Sequence, residues 1–289
     1  MPSKKLQAKQ IKKFQKEILQ YYQKNKRDLP WRPPSLKFRR DKALDPYKIL
    51  ISEVMLQQTQ VERVKYYYAA FLKEFPTWKT LANAPTKQLL SLWQGMGYNR
   101  RALYLQRTAK IIIEKYSGKL PQNEKELITL PGIGKATAAA ILTYAYNFPV
   151  IFIETNIRRV FIYWFFKNQK AVHDKEILSL VEQTLPKKPP SAGRSPREWY
   201  WALMDYGSML AKTETNPNHK SKHYTKQSKF EGSQRQLRGT ILKTLLDSSL
   251  TLEQLTKQTK RKKPELTKIL SQLAAEGFIK KNGDFYRIS

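Results

Sequence analysis

Residues Leu130 to Ala138 read LPGIGKATA. A proline and two glycines interrupt the helical pattern here, and the apolar run that continues from Ala136 resumes it at once. This spacing predicts a helix that ends at Leu130, a tight turn through Gly132 and Gly134, and a second helix starting near Lys135. Amides left free at such a turn and helix start can hold a phosphate oxygen without any side chain. Glycine suits the turn because a Cβ would block a close backbone approach. An ordinary helical turn can carry the same string, so its surroundings decide what it means.

Those surroundings are helical. On the N-terminal side, residues 3–25 are expected to form an amphipathic helix, with Ser3 as cap and Leu6, Ile11, Phe14, Ile18 and Tyr22 near the helical period. LPWRPP, Leu29 to Pro34, breaks it, and a polar loop is expected to run to Asp45. Pro46 suits the first turn of a long segment that reads as two helices with a bend near Gln58–Gln60. Shorter helices are expected near 78–85, 87–94, 99–115 and 123–129. Strand signals are almost absent until the last dozen residues.

Two stretches punctuate the pattern. KKPPSAGRSPRE, Lys187 to Glu198, is expected to be a loop. Residues 216–236 are polar, basic and aperiodic, and read as a linker on a charged surface. Beyond it the pattern restarts, with three short helices over Leu237–Asp247, Thr251–Gln258 and Pro264–Glu276. FIKKNGDFYRI then reads as two strands around an Asn282-Gly283 turn. Helix–helix–helix–hairpin over 237–289 is the winged-helix arrangement. The basic run ahead of its third helix suits a nucleic-acid backbone, or else forms the solvated face of a protein-docking module.

The chain has 289 residues, with 54 Lys and Arg against 23 acids and a net charge of +31. Such a charge points to a polyanionic partner. There is no cysteine, which excludes disulfides, thiolate zinc sites and iron–sulfur clusters. Three histidines offer little for a metal site, so none is expected. The first residues lack the apolar core of a signal peptide, and no run of about 18 apolar residues could span a bilayer. A soluble, cytoplasmic protein is expected, nucleoid-associated if the source is prokaryotic, with no membrane partner.

Two carboxylates stand out. In YKILISEVMLQQTQVERV, Glu53 and Gln57 are spaced i and i+4, so they project from one side of a helix whose other face carries Leu50, Val54, Val61 and Val64. An acid beside apolar Ile51 and Val54 suits a general acid, although a surface Glu–Gln pair has the same spacing. In PVIFIETNIRRV, Pro149 to Val160, an apolar run leads straight into Glu154 at the start of a helix. A helix N-terminus stabilises such a charge by about 0.3–1 kcal/mol. The alternative is one half of an active site.

LPWR, SEVMLQQTQV, LWQGMGYNRRA, LPGIGKATAAAIL and IETNIRRV occur in an order and spacing that resemble the A/G-specific adenine DNA glycosylases. These belong to the helix–hairpin–helix superfamily of base-excision glycosylases, alongside endonuclease III. The resemblance covers about residues 28–212. It implies an all-α fold with two helical lobes: the N-terminal helix with 145–215 in one, and about 46–144 in the other. Residues 1–215 would form the glycosylase domain, 216–236 the linker and 237–289 the winged helix. A flipped adenine would enter a cleft between the lobes. Glu53 falls on the family's catalytic glutamate, and Gln57 and Tyr98 fall where side chains enter the stack. Trp31 and Arg32 would lie near the adenine pocket, and Asn156 near the reaction centre. Gly132, Gly134, Lys135 and Thr137 would contact the DNA backbone. Glu154 falls where the family keeps an aspartate that faces the sugar, so it is one methylene longer.

Other departures bear on the chemistry. Ala136 occupies the position of the nucleophilic lysine of bifunctional enzymes, so a monofunctional glycosylase is expected. The family's four-cysteine iron–sulfur loop is replaced by AKTETNPNHKSKHYTKQSKF, and the winged helix stands where a pyrophosphatase-like domain is usual. No cofactor is expected, with a monovalent cation at the hairpin carbonyls allowed for. The expected function is excision of adenine opposite 8-oxoguanine or guanine in double-stranded DNA, by a monomer. The alternatives are excision of thymine or uracil opposite guanine, and DNA binding without catalysis.

Overall fold

The computed structural model describes residues 5–32, 43–186 and 195–289. The expected Ser3 cap, most of the loop after Leu29 and residues 187–194 lie outside them. The chain divides into two compact units, built from the described residues of Met1–Leu50, Gln122–Ile128 and Ile133–Lys226, and of Ile51–Pro121, Thr129–Gly132 and Gln227–Ser289.

The first unit contains α1 (Ala8–Asn25), α7 (Glu124–Leu127), α8 (Lys135–Tyr146), α9 (Thr155–Phe165), α10 (Asp174–Thr184) and α11 (Pro196–Thr213). α1 starts at Gln7 rather than Ser3, and Phe14, Ile18 and Tyr22 are its buried face. Phe14 is the centre of the core, meeting Phe161, Trp164, Phe165 and Trp199 edge-on with centroids 5.0–5.7 Å apart. Edge-to-face pairs add about 0.5–1.5 kcal/mol each beyond burial. α8 is apolar on nearly every side, with Ala138 to Ala145 buried. Its Ala139, Ala140, Tyr144 and Ala145 join the Phe14 core, so residues 133–144 group with this unit and not with the expected 46–144 lobe.

The expected 187–198 loop ends earlier than anticipated. Ser195 accepts from the Glu198 amide at 3.2 Å, and Pro196 takes the first helical position of α11. Likewise, the first part of the expected linker is built into the unit. A 3-10 turn over Pro217–Lys220 is followed by a parallel bridge between Val172 and Ser221, and Pro217, Asn218 and Ser221 are buried. Exposed chain begins at Lys222.

In the second unit, the latter part of α2 (Pro46–Leu56) leads through a bend to α3 (Val61–Glu74), with Gln58 in the left-handed region at φ 57°. α4 (Trp78–Ala82), α5 (Thr86–Leu92) and α6 (Arg100–Tyr116) complete a helical cluster around Phe71 and Trp93, whose rings meet edge-on at 5.8 Å. The C-terminal module belongs here: α12 (Gln234–Asp247), α13 (Leu252–Thr259), α14 (Lys263–Ala275) and a three-stranded antiparallel sheet. Strands β1 (Leu250–Thr251), β2 (Ile279–Asn282) and β3 (Phe285–Ile288) are ordered β1-β3-β2. The two-residue strand β1 was too short to leave a sequence signal. Asn282 pairs with Phe285, so the hairpin turn is Gly283-Asp284, one residue later than expected. Only Gly283 has a positive φ, 56°, as a type II′ turn requires at its first central position.

Candidate functional site

In the first unit, an extended segment delivers Glu154 to the start of α9. The Tyr200 hydroxyl donates to the Val150 carbonyl at 2.8 Å and accepts from the Phe152 amide at 3.3 Å. The Phe152 and Tyr200 rings stack at 4.2 Å. Glu154 then caps α9: its Oε1 accepts from the amides of Asn156 at 2.8 Å and Ile157 at 3.1 Å. The helix-end reading is therefore realised, and Oε2 has no hydrogen-bond partner among the described residues. Burial raises the Glu154 pKa, against the lowering effect of the two amides and of Arg159 and Arg158. Part of the residue's surface remains open.

Asn156 is oriented from behind. Its Oδ1 accepts from Arg159 Nη1 at 2.6 Å, and the same nitrogen donates to the Gly207 carbonyl at 2.8 Å. Gly207 allows α11 this close to α9: a Cβ there would lie 2.4 Å from the Asn156 carbonyl oxygen. Asn218 Nδ2 donates to the Thr155 carbonyl at 3.0 Å, so the segment after α11 supports the same helix start.

Arg32 is fixed by a residue that sequence reasoning missed. Asp205, 2% exposed on α11, accepts from Arg32 Nη1 at 3.1 and 2.9 Å and from the Arg27 Nε at 2.6 Å and amide at 3.0 Å. The Arg32 guanidinium also lies 5.3 Å from the Trp201 ring, and Trp31 is buried. The available signal was one aspartate inside the apolar string WALMDYGSML: a buried charge requires partners.

At the start of α8, Gly134 is the cap residue and offers no side chain to the first amides. Lys135 and Ala136 are exposed and Thr137 is half-buried. A Cβ on Gly134 would meet nothing within 4 Å among the described residues.

In the second unit, Glu53 is half-buried on α2. Gln57 lies just past the helix end, not within it, and its Nε2 donates to the Gly132 carbonyl at 3.2 Å. Gly132 has φ 76°, and a Cβ there would lie 2.7 Å from the Tyr104 ring. The positive φ and the Tyr104 ring each call for glycine at Gly132. Tyr98 is 39% exposed at φ 47°. A non-glycine residue in that region persists only where its surroundings over-determine it, at about 1–3 kcal/mol.

Arg101 supplies that determination, and nothing in its sequence context announced it. Its Nη1 donates to the carbonyls of Val54, Met55 and Gln57 at 2.9, 2.8 and 2.6 Å. Its Nη2 donates to Thr59 Oγ1 at 2.9 Å and to the carbonyls of Met96 and Gly97 at 3.1 and 2.9 Å. One guanidinium thus closes the C-terminus of α2 and holds the turn that presents Tyr98. Desolvation lowers its pKa to about 10.

Among the described residues, no cluster of three or more His, Cys, Asp or Glu is placed to hold a metal, and no helix is long and apolar enough to cross a membrane.

Comparison with known proteins places the chain in a family. The family model for the HhH-GPD superfamily base excision DNA repair protein matches residues 51–187. An adenine DNA glycosylase of Mycolicibacterium smegmatis is 30% identical over 294 residues, covering 93% of this chain and 93% of the relative. An adenine DNA glycosylase of Buchnera aphidicola subsp. Baizongia pistaciae is 37% identical over 205 residues; the match spans 71% of this chain but 54% of that relative's length. Among solved structures, a thermostable thymine-DNA glycosylase superposes with a TM-score of 0.58 at 28% identity, covering 70% of this chain and 88% of its own. The chain belongs to the HhH-GPD superfamily of base excision DNA repair proteins and, within it, to the family of the adenine DNA glycosylases.

Proposed function

We propose that this chain, as a monomer, hydrolyses the N-glycosidic bond of adenine mispaired with 8-oxoguanine or guanine in double-stranded DNA, leaving an abasic site. Membership of the adenine DNA glycosylase family is the observation that carries the reading. A base stacked in a duplex is out of reach, so the adenine must be extruded. Gln57 and Tyr98 are assigned to the vacated stack, and both stand on backbone fixed by Arg101. Trp31 and Arg32 are assigned to the adenine pocket. Gly132, Gly134, Lys135 and Thr137 are assigned to the DNA backbone.

Glu53 is assigned to proton transfer: it protonates the departing adenine and activates the water that adds to the sugar. Cleavage builds positive charge on the sugar, which a fixed carboxylate stabilises. Glu154 supports that role with Oε2, since Oε1 is occupied by two amides. Burial opposes its ionisation in the free protein, and an approaching cationic sugar favours it. Asn156, held by Arg159, completes the set. At the expected lyase position Ala136 offers no amine, so a strand break should require alkali. The enzyme is proposed to need no cofactor. A monovalent cation at the Gly132 carbonyl would share that oxygen with Gln57 Nε2, and no step depends on it.

Single-turnover cleavage of duplexes carrying adenine opposite 8-oxoguanine or guanine, and thymine or uracil opposite guanine, tests this. Adenine release is expected, with strand breaks only after alkali. Glu53→Gln should slow it by about 100-fold or more. Preferential release of thymine or uracil would overturn the assignment of the base.

A further inference from the structure

The hydroxyl of Tyr98 is held by the C-terminal module. Arg235 Nη1 donates to it at 2.8 Å and Gln227 Nε2 donates to it as well. The Arg235 guanidinium lies 5.5 Å from the Tyr98 ring centroid, and that of Arg101 lies 5.7 Å from it. Arg235 is itself immobilised: it is the second residue of α12, and its Nη2 donates to the Ser228 carbonyl at 2.7 Å. The module is keyed to the same turn by Glu276, whose carboxylate accepts from Arg100 Nη2 at 2.5 Å and from Arg238 Nη2 at 2.6 Å. The Glu276 carbonyl accepts from Arg107 at 2.6 Å. A cavity of about 1240 Å³ opens here, lined by Gln57 and Tyr98 and by Arg235 and Lys243 of α12.

We propose that Arg235, assisted by Gln227, is a positioning residue for Tyr98, so that the C-terminal module completes the wedge that enters the DNA stack. This rests on the proposed assignment of Tyr98 to that stack. Two donors on one phenol oxygen fix the direction of the ring, and Arg101 and Trp93 fix the turn beneath it. The Trp93 Nε1 donates to the Gly97 carbonyl at 3.1 Å. A side chain ordered before it meets DNA needs no ordering during extrusion, which favours the flipped state. The module therefore acts on base extrusion through Tyr98, not only as an added surface for phosphates.

The test uses the full chain and a duplex with 2-aminopurine beside the mispaired adenine, whose fluorescence rises when its neighbour leaves the stack. Arg235→Gln, Tyr98→Phe and the double variant are compared by rate of fluorescence rise, single-turnover excision, DNA Kd and thermal midpoint. Each single variant is expected to slow extrusion about tenfold with Kd nearly unchanged. The double variant should be no slower than the slower single, because both remove one contact. Wild-type extrusion by folded Arg235→Gln overturns the inference alone. So do multiplicative effects in the double variant, or a loss confined to Kd and its salt dependence, which marks a phosphate contact. A wild type that extrudes no base from any duplex overturns both this inference and the functional reading.

Discussion

Arg101 in the second unit and Arg159 in the first are both buried, and both donate to backbone beside residues assigned to the chemistry. Their electrostatic surroundings differ. Arg101 forms no ion pair among the described residues; six carbonyls and one hydroxyl surround it, two aromatic rings flank it, and desolvation lowers its pKa. Arg159 feels the attraction of Glu154, although desolvation still lowers its pKa. The first arrangement is suited to holding backbone: a cation at a helix C-terminus satisfies carbonyls that have no intrahelical partner. The second couples a side-chain amide, Asn156, to a carboxylate whose charge state can change. The part assigned to DNA distortion thus stands on a fixed charge, and the part assigned to the reacting sugar on a tunable one.

The sharpest way to break this contrast is Arg101→Leu. It leaves the carbonyls of Val54, Met55, Gln57, Met96 and Gly97 without that donor, and should destabilise the fold by about 3–5 kcal/mol in denaturant melts. Arg101→Lys should recover little, because three donors on one nitrogen cannot span acceptors from two segments. Retained stability in either variant would show that the carbonyls find other partners.

Gly207→Ala probes the first unit. The new Cβ would overlap the Asn156 carbonyl, so α9 and α11 must part, costing about 1–3 kcal/mol. Excision should fall further than stability alone explains, since Asn156 and the acceptor of Arg159 move together. A fully active, fully stable variant would remove the positioning argument.

Glu154→Gln sharpens the charge-state half of the contrast. The folded pKa is raised from 4.5, so the contribution of Glu154 to stability is present below that value and lost as pH rises through the folded one. Glutamine keeps an acceptor for the two amides but never ionises. Thermal midpoints measured against pH should therefore favour the variant increasingly above about pH 4.5, while its excision is lost. A pH-independent difference would place the carboxylate in solvent.

The smallest effect is expected at Asp174, paired through two oxygens with Arg158 at 2.8 and 2.7 Å. Its folded pKa is lowered from 3.8, so its contribution is present above that value and lost as pH falls through the folded one. Asp174→Asn should cost about 1 kcal/mol at neutral pH for this half-buried pair.

The helical body was legible in the sequence because periodic apolar faces and Pro or Gly breaks survive without tertiary context: α1, the α2–α3 bend and the three helices and hairpin of the C-terminal module follow the expectation. Boundaries were less so. Pro196 reads as loop in a Pro/Gly/Ser-rich string, and only its cap geometry shows it opening a helix. Glu53, Gln57, Tyr98, Glu154 and Asn156 were singled out through ordered strings that resemble a family, since spacing alone left Glu53 and Glu154 open to bland readings.

Arg101, Arg159, Asp205 and Arg235 were not singled out, for one physical reason. Arg101 and Arg235 donate to backbone carbonyls and hydroxyls, Arg159 to a carbonyl and the amide oxygens of Asn156 and Asn216, and Asp205 accepts from Arg27 and Arg32; several of these partners are more than 100 residues away, and no such pairing is written in a one-dimensional string. Local preference and charge composition are written residue by residue, which is why an all-helical, polyanion-seeking chain could be read from the letters. Which arginine is buried, which carboxylate caps a helix and which module reaches Tyr98 depend on long-range packing, where burial turns an ordinary charged side chain into one that must find a partner.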